Sequence, residues 1–264
     1  MIIIFATEPQ LVRRAGVALH DVGQVTLVTE WSRFNELHRT ARCTIVADPW
    51  ISLGELTPKV AALRDGAPFV PLVVVTGSVH DQGHDDRELF RDSLVGLHAF
   101  ERRLRRVVCR ALVRAWFIRV GQRIRATTTV PSALGHALSI ACDEPRDAAS
   151  IGMLATRVGC DRSTLWHQWR RIVPDDGLRL EDFLGWLLLV RGTGLRAAGD
   201  SWPVVATELG VHHHTLARLA RRLTDVTLRE IAGQPTSWVV DQLRSRALSR
   251  ITDVAQDMPS TFWN

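Results

Sequence analysis

Three consecutive histidines, His212, His213 and His214, stand between a glycine and an arginine-rich run in ATELGVHHHTLARLARRL, residues 206–223. Imidazoles in a row suggest a metal centre, but successive helical side chains point about 100° apart and adjacent histidines cannot converge on one ion. Two ligands on one helix want i, i+4 spacing, as in HExxH. The spacing therefore predicts no metal site. What remains is the first turn of a helix, either solvated or turned toward a polyanion. The chain contains no G-x-S-x-G, P-loop, HExxH or dinucleotide fingerprint, so neither catalysis nor a cofactor is expected.

The histidines belong to a repeat. LATRVGCDRSTLWHQWRR (154–171) aligns with VATELGVHHHTLARLARR (205–222) at a constant offset of 51 residues. Ala155 matches Ala206, Gly159 matches Gly210, Thr164-Leu165 matches Thr215-Leu216, and Arg170-Arg171 matches Arg221-Arg222. Each unit has the makings of a helix-turn-helix: a small residue where two helices cross, a glycine for the tight turn, and apolar residues at core spacing. The second helix of each unit then presents its first turn outward, the part that enters the DNA major groove in this motif. The expected DNA-contacting residues are Arg162, Ser163, Trp166, His167, Arg170 and Arg171 in the first unit. In the second they are His212, His213, His214, Thr215, Arg218, Arg221 and Arg222.

Two helix-turn-helix units joined by a long helix resemble the DNA-binding domain of AraC/XylS-family transcription regulators. Leu180-Glu181-Asp182-Phe183-Leu184 and Trp186-Leu187, then Gly192 and Leu195, follow the layout of that family's connecting helix. The resemblance covers about residues 131–235 and implies sequence-specific DNA binding by an all-α domain. Several positions depart from it. Gln168 occupies a core position filled by Leu219 in the second unit, with Trp169 expected to fill the space. The second turn is one residue shorter than the family form. Gly192 and Gly194 should weaken the connecting helix by ~1 kcal/mol each relative to alanine.

The first hundred residues alternate β-branched runs with helical patterns. MIIIFAT, QVTLVTEW, CTIVADP and FVPLVVVTG read as strands; a helix opened by Pro9, SRFNELHRT and TPKVAALRDG lie between them. That order predicts a parallel sheet covered on both faces. A fifth strand should lie within 94–118, with Gly96–Phe100 a poor candidate. SVHDQGHDD (78–86) reads as a polar loop. Residues 101–124 are expected to form one helix, with Phe100, Leu104, Val107, Ala111 and Trp116 on its apolar face. The β-α order and strand ends resemble the receiver domain of bacterial response regulators. The resemblance implies a flavodoxin-like sheet and places Asp48 as phosphoacceptor, with Thr76 at the end of strand four. The family's acidic pair is replaced by Ala6-Thr7 with Glu8 beside it, and no lysine follows Lys59. Phosphoryl transfer to a carboxylate needs Mg²⁺ held by several oxygens, so a degenerate, phosphate-independent receiver is expected. Asp48-Pro49 also reads simply as a turn after a strand.

The net charge of +5 is concentrated in one stretch. Residues 101–125 carry 9 basic residues and 1 acidic, against 9 and 12 over 1–100, and 15 of each over 126–264. The basic stretch is either a DNA contact or a solvated dimerisation or interdomain helix. Four scattered cysteines without a CxxC pair suggest reduced thiols in a cytoplasm, and no signal peptide or transmembrane run is read. Four segments follow: a receiver-like α/β domain at 1–100, a basic linker helix at 101–130, a double helix-turn-helix domain at 131–250 and a tail at 251–264. The expected function is a DNA-binding transcription regulator with an amino-terminal regulatory or dimerisation domain. Double-stranded DNA is the expected partner, with a homodimer and RNA polymerase as further contacts. The alternative is a protein-interaction adaptor whose helical domain has lost DNA binding.

Overall fold

The computed structural model describes residues 1–77, 94–144, 146, 150–173, 178–246 and 248. The expected polar loop 78–86 and the tail lie outside them. The chain forms two compact units, residues 1–115 and 116–264.

The first unit is built on a parallel sheet of β1 (Ile2–Ala6), β2 (Val25–Val28), β3 (Cys43–Ala47), β4 (Leu72–Thr76) and β5 (Leu94–Gly96). The strand order is β2-β1-β3-β4-β5, so the direction of chain progression reverses between β1 and β3. In β1, β3 and β4 every residue is buried, as expected of strands covered on both faces. Ile3 and Phe5 of β1, Val46 of β3 and Val74 of β4 share one cluster with Phe34 of α2 (Trp31–His38). Leu56, Val60 and Leu63 of α3 (Leu53–Gly66) complete it. Right-handed crossovers on either side of the reversal place α1 (Pro9–Ala18) on the opposite face.

Two boundaries differ from the sequence reading. The helix α3 begins at Leu53 rather than Thr57, because Ser52 and Glu55 form a capping box: the Glu55 amide donates to Ser52 Oγ (3.3 Å) and the Ser52 amide to Glu55 Oε2 (3.1 Å). The fifth strand is only three residues long and starts before the weak candidate at 96–100, overlapping it at Gly96 alone. A single 3₁₀ turn, Leu97–Ala99, then leads into α4 (Phe100–Ala126).

The helix α4 runs from the first unit into the second, the division falling after Ala115. In its first half the buried face is Phe100, Leu104, Val108 and Leu112, while Val107 and Ala111 are only half-buried. The seam thus follows i, i+4 steps, one position on from the expected Val107 and Ala111. Arg105 clamps Asp21 through Nε and Nη2 (2.7 Å at the shortest), holding that carboxyl below the usual range, and Arg14 of α1 pairs with Glu101. These charges serve packing within the first unit.

The second unit is helical among its described residues: α5 (Ser132–Asp143), α6 (Ile151–Val158), α7 (Arg162–Ile172), α8 (Leu180–Ala197), α9 (Trp202–Glu208), α10 (His213–Thr224), α11 (Leu228–Ala232) and α12 (Thr236–Arg246). The helix α8 is its axis, buried from Leu180 to Leu195 except at Glu181 and Asp182. Its glycines answer a packing need. A Cβ on Gly185 would lie 2.9 Å from Leu219 Cδ2, and one on Gly192 3.3 Å from Val205 Cγ1, so α10 and α9 approach the α8 backbone closely there. The intrinsic helix penalty of Gly192 is thus offset by the contact it permits. Even the charged Arg191 is buried: its guanidinium lies over Phe117 (4.6 Å) and donates to the Asp143 carbonyl at the end of α5 (3.3 Å).

Candidate nucleic-acid interface

The 51-residue repeat persists in three dimensions down to individual hydrogen bonds. Gly159 and Gly210 take left-handed backbone, φ +69° and +70°. After each glycine the chain turns back on the preceding helix: the Cys160 amide donates to Ala155 O and the Val211 amide to Ala206 O, both at 3.0 Å. Thr156 and Thr207 hydroxyls donate to the carbonyls four residues earlier, again both at 3.0 Å. Ala155 and Ala206, Leu154 and Val205, and Leu165 and Leu216 occupy equivalent buried places. Two segments of different surface sequence thus share one backbone geometry, a pair of helices joined by a left-handed glycine turn.

The units differ where their surroundings differ. In the first, the core position of Leu219 is filled by Gln168, which does not pack as an apolar side chain. Its Oε1 accepts from the Leu134 amide (3.0 Å) in the first turn of α5, a helix whose own N-cap, Pro131, offers no acceptor side chain. Trp169 does fill the neighbouring space. It is buried, donates from Nε1 to Leu178 O (2.8 Å) and lies against Phe183 of α8 (5.3 Å).

The residues singled out for DNA contact emerge on the second helix of each unit. Arg162, Ser163, Trp166, His167, Arg170 and Arg171 are all exposed on α7. Arg170 stacks over the Trp166 ring at 5.1 Å, with His167 beside it. On α10 His214, Arg218, Arg221 and Arg222 are exposed and His213 and Thr215 half-buried. His212 is the N-cap of α10, where its Nδ1 accepts from the His214 amide (3.4 Å), and the His212 and His214 rings lie 5.1 Å apart. Its ring thus faces the backbone of the helix it opens. Arg162 and Arg222 do not stand free: Arg162 pairs with Glu181 (3.3 Å) and Arg222 with Asp182 (2.9 Å), both on the first turn of α8. Sequence reasoning missed these partners, although two adjacent acids at a helix start were a visible signal.

In the first unit, Asp48 and Thr76 come together at the carboxyl edge of the sheet. The register pairs Ala6 with Ala47 and Ala47 with Val75, so the residues that follow these strands are neighbours. Both side chains are buried, and Thr76 Oγ1 has no hydrogen-bond partner among the described residues. Glu8 is drawn to a residue that sequence reasoning passed over: its Oε1 accepts from Trp50 Nε1 (2.6 Å), while the Trp50 amide donates to Asp48 Oδ1 (3.3 Å). The loops after β3 and β4 touch, since a Cβ on Gly77 would lie 2.7 Å from the Pro49 carbonyl. Burial pushes the Cys43 and Cys142 thiols up to about 12, which disfavours the nucleophilic thiolate.

Among the described residues, no helix is long and apolar enough to cross a membrane. No family model, no curated protein and no solved structure matches the chain. The chain is an α/β unit of five parallel strands followed by a unit that is helical among its described residues.

Proposed function

We propose that the protein is a sequence-specific DNA-binding transcription regulator, related in its helical unit to the AraC/XylS family. The observation that carries this reading is the repeat: the same glycine turn and hydrogen bonds recur 51 residues apart, and each unit exposes an arginine-bearing second helix. A duplicated helix-turn-helix suits a protein that reads two half-sites. The sheet unit is a receiver-like domain that works without phosphate, in regulation or dimerisation. The flavodoxin-like strand order supports the kinship. The missing acidic pair, and a Glu8 engaged by Trp50, support phosphate independence.

The test is an electrophoretic shift on genomic fragments at two salt concentrations, followed by selection of bound sequences from a random pool. Enrichment of a bipartite site and a steep salt dependence are expected. Arg171→Ala should weaken binding evenly across sequences, whereas Ser163→Ala and His213→Ala should relax discrimination between sites. Absence of binding at low salt would leave the adaptor reading in its place. For the first unit, a small phosphodonor with Mg²⁺ should add no acid-labile mass to Asp48.

A further inference from the structure

Glu181 and Asp182 are adjacent, yet they hold arginines from different halves of the repeat. Arg162 Nη2 at the start of α7 lies 3.3 Å from Glu181 Oε1, and Arg222 Nη2 in the last turn of α10 lies 2.9 Å from Asp182 Oδ1. Arg222 reaches across α8 at Gly185, where an added Cβ would sit 3.8 Å from its Nη2. Both carboxylates stand in the first turn of α8, where the amino end of the helix favours negative charge whether or not an arginine is present. The arginines are the more exposed partners, at 69% and 52% against 42% and 20% for the acids.

We propose that Glu181 and Asp182 are positioning residues for DNA binding: a fixed internal counter-anion that occupies one arginine of each helix-turn-helix unit and competes with DNA phosphate for both. The proposal rests on the DNA-binding reading. A guanidinium presents the same donor fork to a carboxylate as to a phosphate, so the two acceptors exclude one another on one arginine. Solvent-accessible pairs of this kind are weak in isolation, but two acids fixed at the favourable amino end of α8 keep hold of the arginines against DNA phosphate. The carboxylates also repel the incoming backbone. Binding therefore neutralises fewer phosphates than the exposed arginines would suggest, in keeping with 15 basic and 15 acidic residues over 126–264. Because the two acids are neighbours, one short element sets the electrostatic strength of both reading helices together.

The test compares the full chain with its Glu181→Gln/Asp182→Asn variant on a labelled random duplex of roughly 40 base pairs, long enough for two half-sites one helical turn apart. The variant should bind on the order of tenfold tighter at moderate salt. Its plot of log affinity against log salt should be steeper by roughly 2, about 0.9 for each arginine returned to phosphate. Repeating the substitutions with Arg162→Ala/Arg222→Ala already present should abolish most of the gain. A parent that binds DNA with an affinity and slope that the variant leaves unchanged would overturn the proposal and spare the DNA reading. A gain that persists without the arginines would also overturn it, since bulk charge would then be the cause. Failure of every form to bind at low salt, with melting curves showing all of them folded, would overturn the DNA reading and this proposal with it.

Discussion

Gly159→Ala and Gly210→Ala separate the cost of a left-handed backbone from the cost of a steric contact. Both glycines have nearly the same φ, +69° and +70°. At Gly159 an added Cβ meets nothing within 4 Å; at Gly210 it would lie 2.9 Å from Arg146 Cγ. Holding an L-residue in the left-handed region costs roughly 1–2 kcal/mol, and replacing glycine recovers about 0.4–1 kcal/mol by restricting the unfolded chain. Gly159→Ala should therefore lose about 1 kcal/mol, or ~3 °C in melting temperature for a unit of this size. Arg146 is an exposed side chain that can swing aside, so Gly210→Ala should lose only a few tenths more. Asparagine tolerates this backbone better than alanine, so Gly159→Asn should lose less. Urea titrations followed by tryptophan fluorescence report on this unit directly, because Trp169 and Trp186 are buried in it. An unchanged midpoint for Gly159→Ala would refute the left-handed turn, and with it the structural identity of the two units. A much larger loss at 210, reversed by Arg146→Ala, would show the arginine stem to be a fixed part of the turn.

Gln168→Leu gives the first unit the apolar residue of the second yet strands the Leu134 amide, and should cost about 1–3 kcal/mol. Gln168→Glu keeps an acceptor at a helix amino end and should stay near the parent in the same titration; equal stability of the leucine variant would show that the amide finds another partner. Gly121→Ala should destabilise by about 1 kcal/mol in thermal melts, because its Cβ would lie 3.0 Å from Cys142 Cβ and 3.1 Å from Ser139 Cα. That overpacking outweighs the ~1 kcal/mol gain in helix propensity, and a more stable variant would contradict the close approach of α4 and α5. Burial lowers the pKa of His38, whose Nδ1 lies 2.9 Å from Thr44 Oγ1. The unfolded chain then binds the proton more readily, so stability is full above about pH 6.5, falls by at most about 1.4 kcal/mol per pH unit as pH drops from there toward the lower folded value, and levels off below it. Urea midpoints between pH 8 and 5 should show this decline in the parent and a flatter one in His38→Gln; parallel profiles would assign the decline to other groups.

Where local chemistry decided the outcome, the sequence was readable. The apolar β-branched runs of β1, β3 and β4 became fully buried strands, and Gly159 and Gly210 marked both turns because no other residue takes that backbone as cheaply. The short fifth strand was hidden because three residues, Leu94–Gly96, carry too little pattern to outweigh the long helix that follows. The buried face of α4 is set by what each of its halves packs against, which periodicity does not encode. The roles of Gln168 and Trp50 were illegible for a related reason: each is defined by a partner 34 or 42 residues away. In the candidate interface, exposure of the arginines followed from the helix period. Their capture by Glu181 and Asp182 depends on how α7 and α10 pack on α8.

The burial of α8 also bears on how the chain survives its own synthesis. Phe183-Leu184-Gly185-Trp186-Leu187-Leu188-Leu189-Val190 is an uninterrupted apolar octet, hidden in the finished unit. It leaves the ribosome before α9, α10, α11 and α12, the helices that cover it, have been made. For that interval it is a sticky segment of low charge and no proline, the kind that recruits holdase chaperones or seeds aggregates. Glu181 and Asp182 on one side and Arg191 on the other stand as charged gatekeepers at its ends. Removing those charges, or slowing the folding of the second helix-turn-helix, should reduce the yield of soluble protein in cells even where the folded state keeps its stability.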